Sequence, residues 1–462
     1  EETIAYVQAI VAEKGSDAWW ELAIDELLPE QYRGRAYRKG TDTMDVWFDS
    51  GSSWAAVLKQ RDDLRYPADL YLEGSDQHRG WFQSSLLTSV AVNGCAPYKT
   101  VLTHGFTLDE QGRKQSKSLG NVVDPMIVIE GGKNQKEEPP YGADILRLWV
   151  SSVDYTNDVP IGKTILKQMA DVYRKIRNTA RFLLGNLHDF DPAKDAVPYE
   201  QLPELDRYML HRIVGVFSDV QDSFESFQFF RFFQAVQNFC AVDLSNFYLD
   251  IAKDRLYISA SDSLRRRSCQ TVLAIAVENL ARAIAPVLCH MAEDIWQAIP
   301  YPTPYKSVFE AGWVKLENQW KAPEEFVEKW ENIRYLRADV NQLLEGARTT
   351  KKIGSSLEAG IRLRVDSSKL RQQLAEFVPS DSNQGNGVDE LRYLFLTSQV
   401  IFVDELSPRR DSITHLSSDK WDIRSELADG QKCDRCWNYS THVGESHDHP
   451  LLCERCIPVV TA

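Results

Sequence analysis

The sequence lacks the features that mark a membrane or secreted protein. No apolar run approaches the roughly 20 residues that span a bilayer. Residues 1–4 show neither the basic start nor the apolar core of a signal peptide. There is also no initiator methionine. We therefore expect the chain to be a piece of a longer protein that does not enter a membrane.

The chain also has fewer basic residues than acidic ones. The 462 residues include 53 Lys and Arg against 67 Asp and Glu, which gives a formal net charge of −14. This balance excludes a protein that is basic over its whole surface, but it allows a local basic face for nucleic acid. Apolar residues make up 43% of the chain and charged residues 26%, which is ordinary globular usage.

Cysteines are few and fall into two groups. Cys95, Cys240, Cys269 and Cys289 stand singly, whereas four others crowd the last thirty residues. Isolated thiols in a large acidic chain indicate a reducing compartment, because disulfides are rare there. We expect a cytoplasmic protein, with an organelle as the alternative, and we expect the four single cysteines to pack in the core.

The second cysteine group has the spacing of a zinc site. Two Cys-x2-Cys pairs separated by sixteen residues match the four-cysteine pattern, since each pair closes a tight knuckle around a tetrahedral ion. Such a Zn²⁺ ion would be structural, because four protein ligands leave no open position. Two disulfides or unliganded thiols are the alternatives. The predicted ligands are Cys433, Cys436, Cys453 and Cys456.

Three side chains beside the knuckles have two interpretations. Arg435, Trp437 and Tyr439 either stack on or pair with nucleic acid, or pack the small core of the module.

Strand and helix patterns alternate over residues 43–120. The sequence predicts a strand at 69–73, a helix over 78–93 and a second strand at 99–104. This order is one βαβ unit and indicates a parallel sheet. Ligands bind beyond the carboxyl ends of such strands, where residues 73–78 and the segment after His104 would lie.

Apolar residues follow the helical period from 161 to about 300, which predicts a helical bundle. Helices are expected near 205–226, 230–252 and 264–296. The first apolar stripe is flanked by six basic residues that would either meet a phosphate backbone or be solvated: Lys163, Lys167, Arg174, Lys175, Arg177 and Arg181.

Residues 320–425 combine a helical pattern near 323–347 with a strand pattern at 360–365. They predict a small α+β region, with a loop at 381–387.

A basic loop bounded by glycines follows the βαβ unit. Residues 112–121, which we call the basic loop, carry three cations and two hydroxyls. Lysines on a mobile loop can fold over a polyphosphate and neutralise charge that develops during transfer. A solvated surface loop is the alternative.

The sequence KQSKS at 114–118 resembles the KMSKS signature of class I aminoacyl-tRNA synthetases. DVWFDSG at 45–51, YLEGSDQHRGWF at 71–82 and GADILRLWV at 142–150 extend the likeness. With the terminal cysteine pairs, the chain resembles the isoleucyl-tRNA synthetase family over essentially its whole length. The resemblance implies isoleucine–tRNA ligase activity: ATP activates isoleucine to isoleucyl-adenylate, and the acyl group passes to tRNA-Ile.

The resemblance also implies roles for single residues. Lys117 would hold the ATP phosphates with help from Lys114, as the catalytic pair, and Ser116 belongs to the same ATP-binding loop. Magnesium would accompany the ATP. The substrate-binding residues would be Glu73 and Gly74 at the adenylate, and Asp76 and Gln77 at the amino acid and ribose. Trp47 and Trp81 would be apolar walls for the isoleucine side chain, with plain core packing as the alternative for each.

Two departures from the family pattern stand out. Gln115 occupies the usual Met position, and no His-x-Gly-His motif occurs among the nine histidines. That motif belongs to the first half of the nucleotide-binding fold. We expect the chain to be inactive by itself and its activity to belong to the parent protein. The alternative is a non-catalytic tRNA-binding or regulatory protein that retains the bundle and the zinc knuckle.

The predicted fold class is multidomain α/β plus all-α. It combines a partial Rossmann-type parallel sheet, a helical anticodon-binding bundle, a small α+β region and a C-terminal zinc knuckle. We expect a monomer with isoleucine, ATP and tRNA-Ile as partners. The predicted domains are the return segment of an inserted editing domain (1–42), the second half of the catalytic domain (43–120), stem-contact and connecting helices (121–195), the anticodon-binding domain (196–320), the junction region (321–425) and the zinc-binding module (426–462).

Overall fold

The computed structural model describes residues 1–377, 390–406 and 413–461. The loop predicted at 381–387 lies outside these ranges. The chain divides into two compact units, Glu1–Gly105 and Phe106–Ala462. Among the described residues, no helix combines the length and the apolar character that a bilayer crossing requires.

The first unit contains the predicted βαβ arrangement. Strands Ala68–Gly74 and Tyr98–His104 pair in parallel, with Leu70 opposite Thr100 and Gly74 opposite His104. Helix Trp81–Asn93 connects them and ends where Gly94 adopts a left-handed conformation (φ 72°) that suits glycine. The other helical segments of this unit are Glu2–Lys14, Ala18–Glu21, Ile24–Leu27, Glu30–Tyr32, Val46–Gly51, Trp54–Leu58 and Ser75–Arg79.

Aromatic side chains form the interior of the first unit. Trp54, Tyr71 and Phe82 are buried. Other apolar side chains of the unit are exposed, among them Leu72 on the first strand and Leu87 on the connecting helix. Cys95 is exposed too, so the prediction that it packs in the core is wrong, because it lies in the turn after Gly94. The prediction is confirmed for Cys240 and Cys269 in the second unit, and Cys289 is half-buried.

The second unit is mainly helical, as predicted. Its large core contains Tyr208, Phe217 and Trp330. The longest helices begin at or near the predicted positions and are Lys163–Gly185, Glu204–Glu225, Leu264–Ile284 and Glu324–Thr349. The other α-helices and one π-helix are Pro125–Glu130, Ala143–Ser152, Pro192–Asp195, Phe229–Asn238, Phe239–Tyr248 (the π-helix), Leu249–Ile258, Cys289–Gln297, Ser368–Ala375, Leu391–Phe395 and Ile457–Thr461. Short 3-10 turns lie at Lys117–Leu119, Tyr199–Gln201, Asn318–Trp320 and Ser356–Glu358.

One predicted helix is interrupted. The sequence predicts a helix over 264–296, but the structure has Leu264–Ile284 and then Cys289–Gln297. Pro286 lies between them, and it cannot donate the backbone hydrogen bond that a continuous helix needs. The prediction of a single helix is therefore wrong.

A buried ion pair joins two helices of the bundle. The Arg255 guanidinium donates to both carboxylate oxygens of Asp206, at 2.8 and 2.5 Å, and Tyr248 donates its hydroxyl to the same carboxylate. Asp206 and Arg255 are both buried. A buried charge is tolerated only with such partners, so this contact fixes how helices Glu204–Glu225 and Leu249–Ile258 meet.

The predicted α+β region is confirmed. Four strands form a mixed sheet in the spatial order Gln399–Phe402, Ala359–Val365, Trp421–Leu427 and Thr414–Ser417. The Trp421 indole donates to Asp339 of helix Glu324–Thr349 at 2.8 Å, which ties the sheet to the bundle.

Candidate functional site

The basic loop grows from a short hairpin in the second unit. Strand Thr107–Leu108 pairs in parallel with Val159–Pro160, and Leu108 bridges to Lys114 in the antiparallel sense. Gly112 has φ 76° at the turn of this hairpin, a conformation that suits glycine. The hairpin therefore sets the point from which the loop projects.

The loop itself has defined local structure. The Ser116 hydroxyl accepts a hydrogen bond from Leu119 N at 3.3 Å and so caps the single turn Lys117–Leu119, which Gly120 closes. The Lys114 ammonium lies 3.3 Å from the centre of the Phe106 ring. Lys117 is exposed and, within the described residues, forms no ion pair. Both lysine amines are thus available to an anion.

Two side chains that the sequence analysis did not single out hold the loop. Asp109 and Asn121 lie at its two ends and bond to each other at 2.9 Å. The pKa of the Asp109 carboxyl is held well below its usual range by the hydrogen bond from Asn121 and by further donors from Arg113 and Gln111. Their spacing of twelve residues across a loop gives no local pattern by which a sequence would reveal the contact.

In the first unit, four predicted residues gather at the carboxyl end of strand Ala68–Gly74. Glu73 and Asp76 are exposed there, and Gly74 is buried. A Cβ atom at position 74 would lie 2.5 Å from an Asp76 carboxylate oxygen, so any side chain there would displace that carboxylate. Gln77 accepts a hydrogen bond from Trp81 N at 3.0 Å, and its side chain thereby caps helix Trp81–Asn93.

The two tryptophans predicted to bind substrate differ in solvent exposure, since Trp81 is half-buried and Trp47 is exposed. Trp81 stacks on Tyr71, with ring centroids 4.1 Å apart, and its indole N–H reaches Ser50 O at 3.0 Å. Trp47 is 44% exposed and lies against Gly80, where a Cβ atom would meet its ring. Trp47, Gln77 and Trp81 therefore surround the start of the same helix.

The four terminal cysteines come together as a candidate metal centre. Their Sγ atoms all lie within 4.8 Å of one another, and all four residues are buried. Sγ of Cys436 and Sγ of Cys453 are 3.6 Å apart, too far for a disulfide. The Zn–S length of about 2.3 Å puts tetrahedral ligands about 3.8 Å apart, so the cluster fits a zinc ion.

The second variable position of each knuckle is an arginine that contacts the bundle. Arg435 donates to Ile258 O at 2.7 Å, and Arg455 bonds to both oxygens of Asp254 at 2.7 and 2.9 Å. Arg435 therefore docks the module on helix Leu249–Ile258. Arg455 was not among the residues predicted from the sequence, although the repeated Arg-Cys in CDRC and CERC was visible.

Trp437 and Tyr439 differ in how far the structure buries them. Trp437 is 61% exposed, with Lys432 Nζ 5.3 Å from its ring centre, so the core-packing interpretation is wrong for it. Tyr439 is half-buried in strand Tyr439–Ser440, and its N–H donates to Ser398 at 2.7 Å.

The six predicted basic residues are all exposed along helix Lys163–Gly185. Lys163 pairs with Glu138 at 3.5 Å and Arg174 with Asp171 at 3.1 Å. In the part of the chain that the structure describes, the other four form no ion pair.

Three adjoining depressions extend from these residues to the zinc module. A groove of about 710 Å³ is lined by Arg181, Phe182 and Tyr257, and a second of about 440 Å³ by Lys175, Phe182 and Lys253. A third of about 420 Å³ shares Lys253 and Tyr257 and reaches Trp437. We call the three together the basic groove.

Three protein-family models match the chain. The model described as tRNA synthetases class I (I, L, M and V) matches residues 1–162. The anticodon-binding domain of tRNA ligase matches residues 206–364. The zinc finger found in FPG and IleRS matches residues 430–459.

Curated relatives extend this result along the whole chain. The isoleucine–tRNA ligase of Rippkaea orientalis is 70% identical over 458 residues, covering 99% of this chain and 48% of that protein. The isoleucine–tRNA ligase of Nostoc sp. is 70% identical over 462 residues, covering 100% of this chain and 48% of that protein. The chain therefore spans about half the length of the curated relatives it matches.

Among solved structures, a ternary LeuRS–tRNA–LeuAMS complex from Agrobacterium radiobacter K84 matches with a TM-score of 0.47 and 20% identity. The matched region covers 62% of this chain and 34% of the LeuRS chain.

Proposed function

We propose that this chain, which belongs to the isoleucyl-tRNA synthetase family of class I aminoacyl-tRNA synthetases, supplies three parts of an isoleucine–tRNA ligase. These parts are the ATP-handling loop, an amino-acid-binding strand end and a tRNA-binding surface. The whole protein would activate isoleucine with ATP and transfer it to tRNA-Ile, as a cytoplasmic monomer.

The basic loop carries the proposal. Two lysine amines that have no carboxylate partner among the described residues stand on a loop whose backbone is held at both ends, and such an arrangement suits the binding of a polyphosphate. In the reaction the isoleucine carboxylate attacks the α-phosphate of magnesium-bound ATP. An oxygen–phosphorus bond forms as the bond to pyrophosphate breaks, and Lys117 with Lys114 stabilises the charge that develops on pyrophosphate.

The strand end of the first unit supports a role in substrate binding. Glu73 and Asp76 are exposed beyond the carboxyl end of a parallel strand, where such sheets bind ligands. The Gln77 side chain accepts from Trp81 N, so its amide hydrogens remain to donate to a substrate. Trp47 and Trp81 would wall the aliphatic side chain of isoleucine.

The basic groove supports tRNA binding by the second unit. Exposed cations such as Lys175 and Arg181, which pair with no described carboxylate, would meet the phosphate backbone. The exposed Tyr257 and Trp437 offer planes on which unstacked bases can lie.

The four cysteines would hold one structural Zn²⁺ ion. With four thiolate ligands the ion would order the module and supply no open position for chemistry. Metal analysis should find one zinc per chain, and Cys433→Ser should lower the zinc content. An unchanged stoichiometry in that variant would exclude the knuckle as the site.

ATP–pyrophosphate exchange in the complete gene product tests the assignment. Lys117→Ala should abolish isoleucine-dependent exchange, whereas Lys133→Ala, at an exposed lysine beyond the loop, should leave it unchanged. Full exchange in Lys117→Ala would refute the role of the loop.

The same groove would serve a non-catalytic tRNA-binding or regulatory protein. That alternative predicts tRNA binding by the complete gene product without any exchange activity, so the two measurements separate the functions.

A further inference from the structure

We infer that Asp109 is a positioning residue for the basic loop and that its carboxylate determines where Lys114 and Lys117 stand. The inference deepens the proposed function and rests on it for its catalytic meaning. Asp109 touches neither lysine, and it acts through the two ends of the loop.

The Asp109 carboxylate uses all of its acceptor positions within the hairpin. Oδ1 accepts from Gln111 N at 3.0 Å and from Arg113 N at 2.9 Å. Oδ2 accepts from Arg113 Nε at 2.8 Å and from Asn121 Nδ2 at 2.9 Å. A carboxylate offers about four such positions, so this one is fully satisfied although it is only 7% exposed.

Asn121 extends the contact to the backbone between the lysines. Its Oδ1 accepts from Ser116 N at 3.0 Å, and its Nδ2 also reaches Lys114 O at 3.4 Å. Asp109 and Asn121 therefore form a clasp that brackets Gln115 and fixes the backbone on either side of it. Lys114 lies at one edge of the clasp, and Lys117 follows directly after Ser116.

The charges around Asp109 favour a role in positioning the two lysines over a role in local stability alone. Asp109 pairs with Arg113 at 2.8 Å, and within the ranges that the structure describes no carboxylate pairs with either lysine amine. Its depressed pKa keeps the carboxylate ionised at neutral pH. A backbone held in this way limits the positions from which the two amines can reach a polyphosphate.

The first experiment uses this chain and no substrate. Trypsin cleaves after Lys114 and Lys117, so the rate of cleavage there reports how firmly the loop is held. Asp109→Asn should raise that rate at least about tenfold, because an amide nitrogen in place of Oδ2 cannot accept from Arg113 Nε or from Asn121 Nδ2, and the loss of one charge-assisted hydrogen bond alone has about that effect. The control is Asp191→Asn, which removes a helix-capping carboxylate in the bundle. Equal cleavage of wild type and Asp109→Asn would overturn the inference.

The second experiment measures kinetics in the complete gene product. Asp109→Asn should lower kcat/KM for ATP about tenfold in pyrophosphate exchange while KM for isoleucine stays within about twofold. A merely structural role would change both constants. Asn121→Ala should give the same split, and it carries the test if Asp109→Asn does not fold.

A double variant tests whether a restored contact between positions 109 and 121 protects the basic loop from trypsin again. In Asp109→Asn/Asn121→Asp the amide and the carboxylate exchange places, so the bond between positions 109 and 121 can form with reversed polarity and Ser116 N keeps its acceptor. The bonds to Arg113 Nε and Lys114 O are not restored, so cleavage should slow relative to Asp109→Asn without reaching the wild-type rate. Failure of Lys117→Ala to reduce exchange would refute the proposed function itself. Loss of exchange in Lys117→Ala, with wild-type behaviour of Asp109→Asn in both assays, would refute only the positioning role.

Discussion

Glu110 Oε1 accepts a hydrogen bond from Thr164 N at 2.8 Å and thereby joins the hairpin of the basic loop to the first turn of helix Lys163–Gly185. The first amides of a helix have no partner within the helix, and its positive end favours a carboxylate. Gly162, the residue at the cap, has no side chain to offer. The helix that carries the exposed basic residues therefore begins on a side chain of the hairpin.

Replacing Glu110 by Ala should destabilise the second unit by about 1 kcal/mol, the usual cost of losing a helix cap. Urea unfolding measures the free energy, and hydrogen exchange at Thr164 should accelerate. The exposed Glu137→Ala serves as the control. An unchanged exchange rate at Thr164 would contradict the capping role.

Replacing Asp206 by Asn should cost about 3–5 kcal/mol, because it leaves the buried Arg255 guanidinium without its counter-charge. Tyr248→Phe should cost about 1 kcal/mol, since it removes one hydrogen bond. Asp219→Asn, at an exposed position of the same helix, should stay within about 0.5 kcal/mol of wild type in urea unfolding. A small effect of Asp206→Asn would show that Arg255 finds another partner.

The buried thiols predict a loss of stability at alkaline pH. Burial raises the pKa of Cys240 and that of Cys269 to about 12, whereas the pKa of a thiol in the unfolded chain is about 8.5. Between these values only the unfolded state releases the proton, so stability falls as pH rises. Each thiol contributes a slope of about 1.4 kcal/mol per pH unit.

Urea unfolding at pH 8 and pH 10 measures this slope. Cys240→Ala should flatten it, and Cys95→Ala, at an exposed thiol, should not. Equal slopes for wild type and Cys240→Ala would contradict the expected linkage.

The contact between the cysteine module and the bundle should slow the loss of zinc from the module. Asp254→Asn weakens the paired contact with Arg455, which stands inside the second knuckle. Zinc should then pass to a competing chelator several-fold faster, because helix Leu249–Ile258 no longer steadies that knuckle. Lys432→Met, outside the knuckles, is the control. Identical release rates would show that the module holds its metal without the bundle.

Local patterns predicted much of this fold. Alternating strand and helix signals located the βαβ unit, and helical periodicity located the bundle. The cysteine spacing predicted the cluster, since four ligands at fixed intervals are local information. The break at Pro286 was missed because apolar periodicity continues across it, although the proline itself was visible.

Contacts between distant positions could not be predicted. Asp109 meets Asn121 only because the basic loop folds back on its own hairpin, and Glu110 meets Thr164 only because folding brings the hairpin to the next helix. The exposure of Trp437 likewise depends on how its module docks. The substrate roles of Glu73, Asp76 and Gln77 rest on the family resemblance and remain predictions.

The junction between Gly105 and Phe106 has a practical consequence for dividing the gene. A polypeptide that starts at Phe106 keeps its bond from Phe106 N to Asp158 at 2.7 Å and the entire helical core, so it should express as a stable piece suited to crystallisation. The segment before the junction exposes large apolar side chains such as Leu72, Leu87 and Val92, and it has a smaller buried core than the polypeptide after the junction. That segment should need a solubilising fusion partner when it is produced alone.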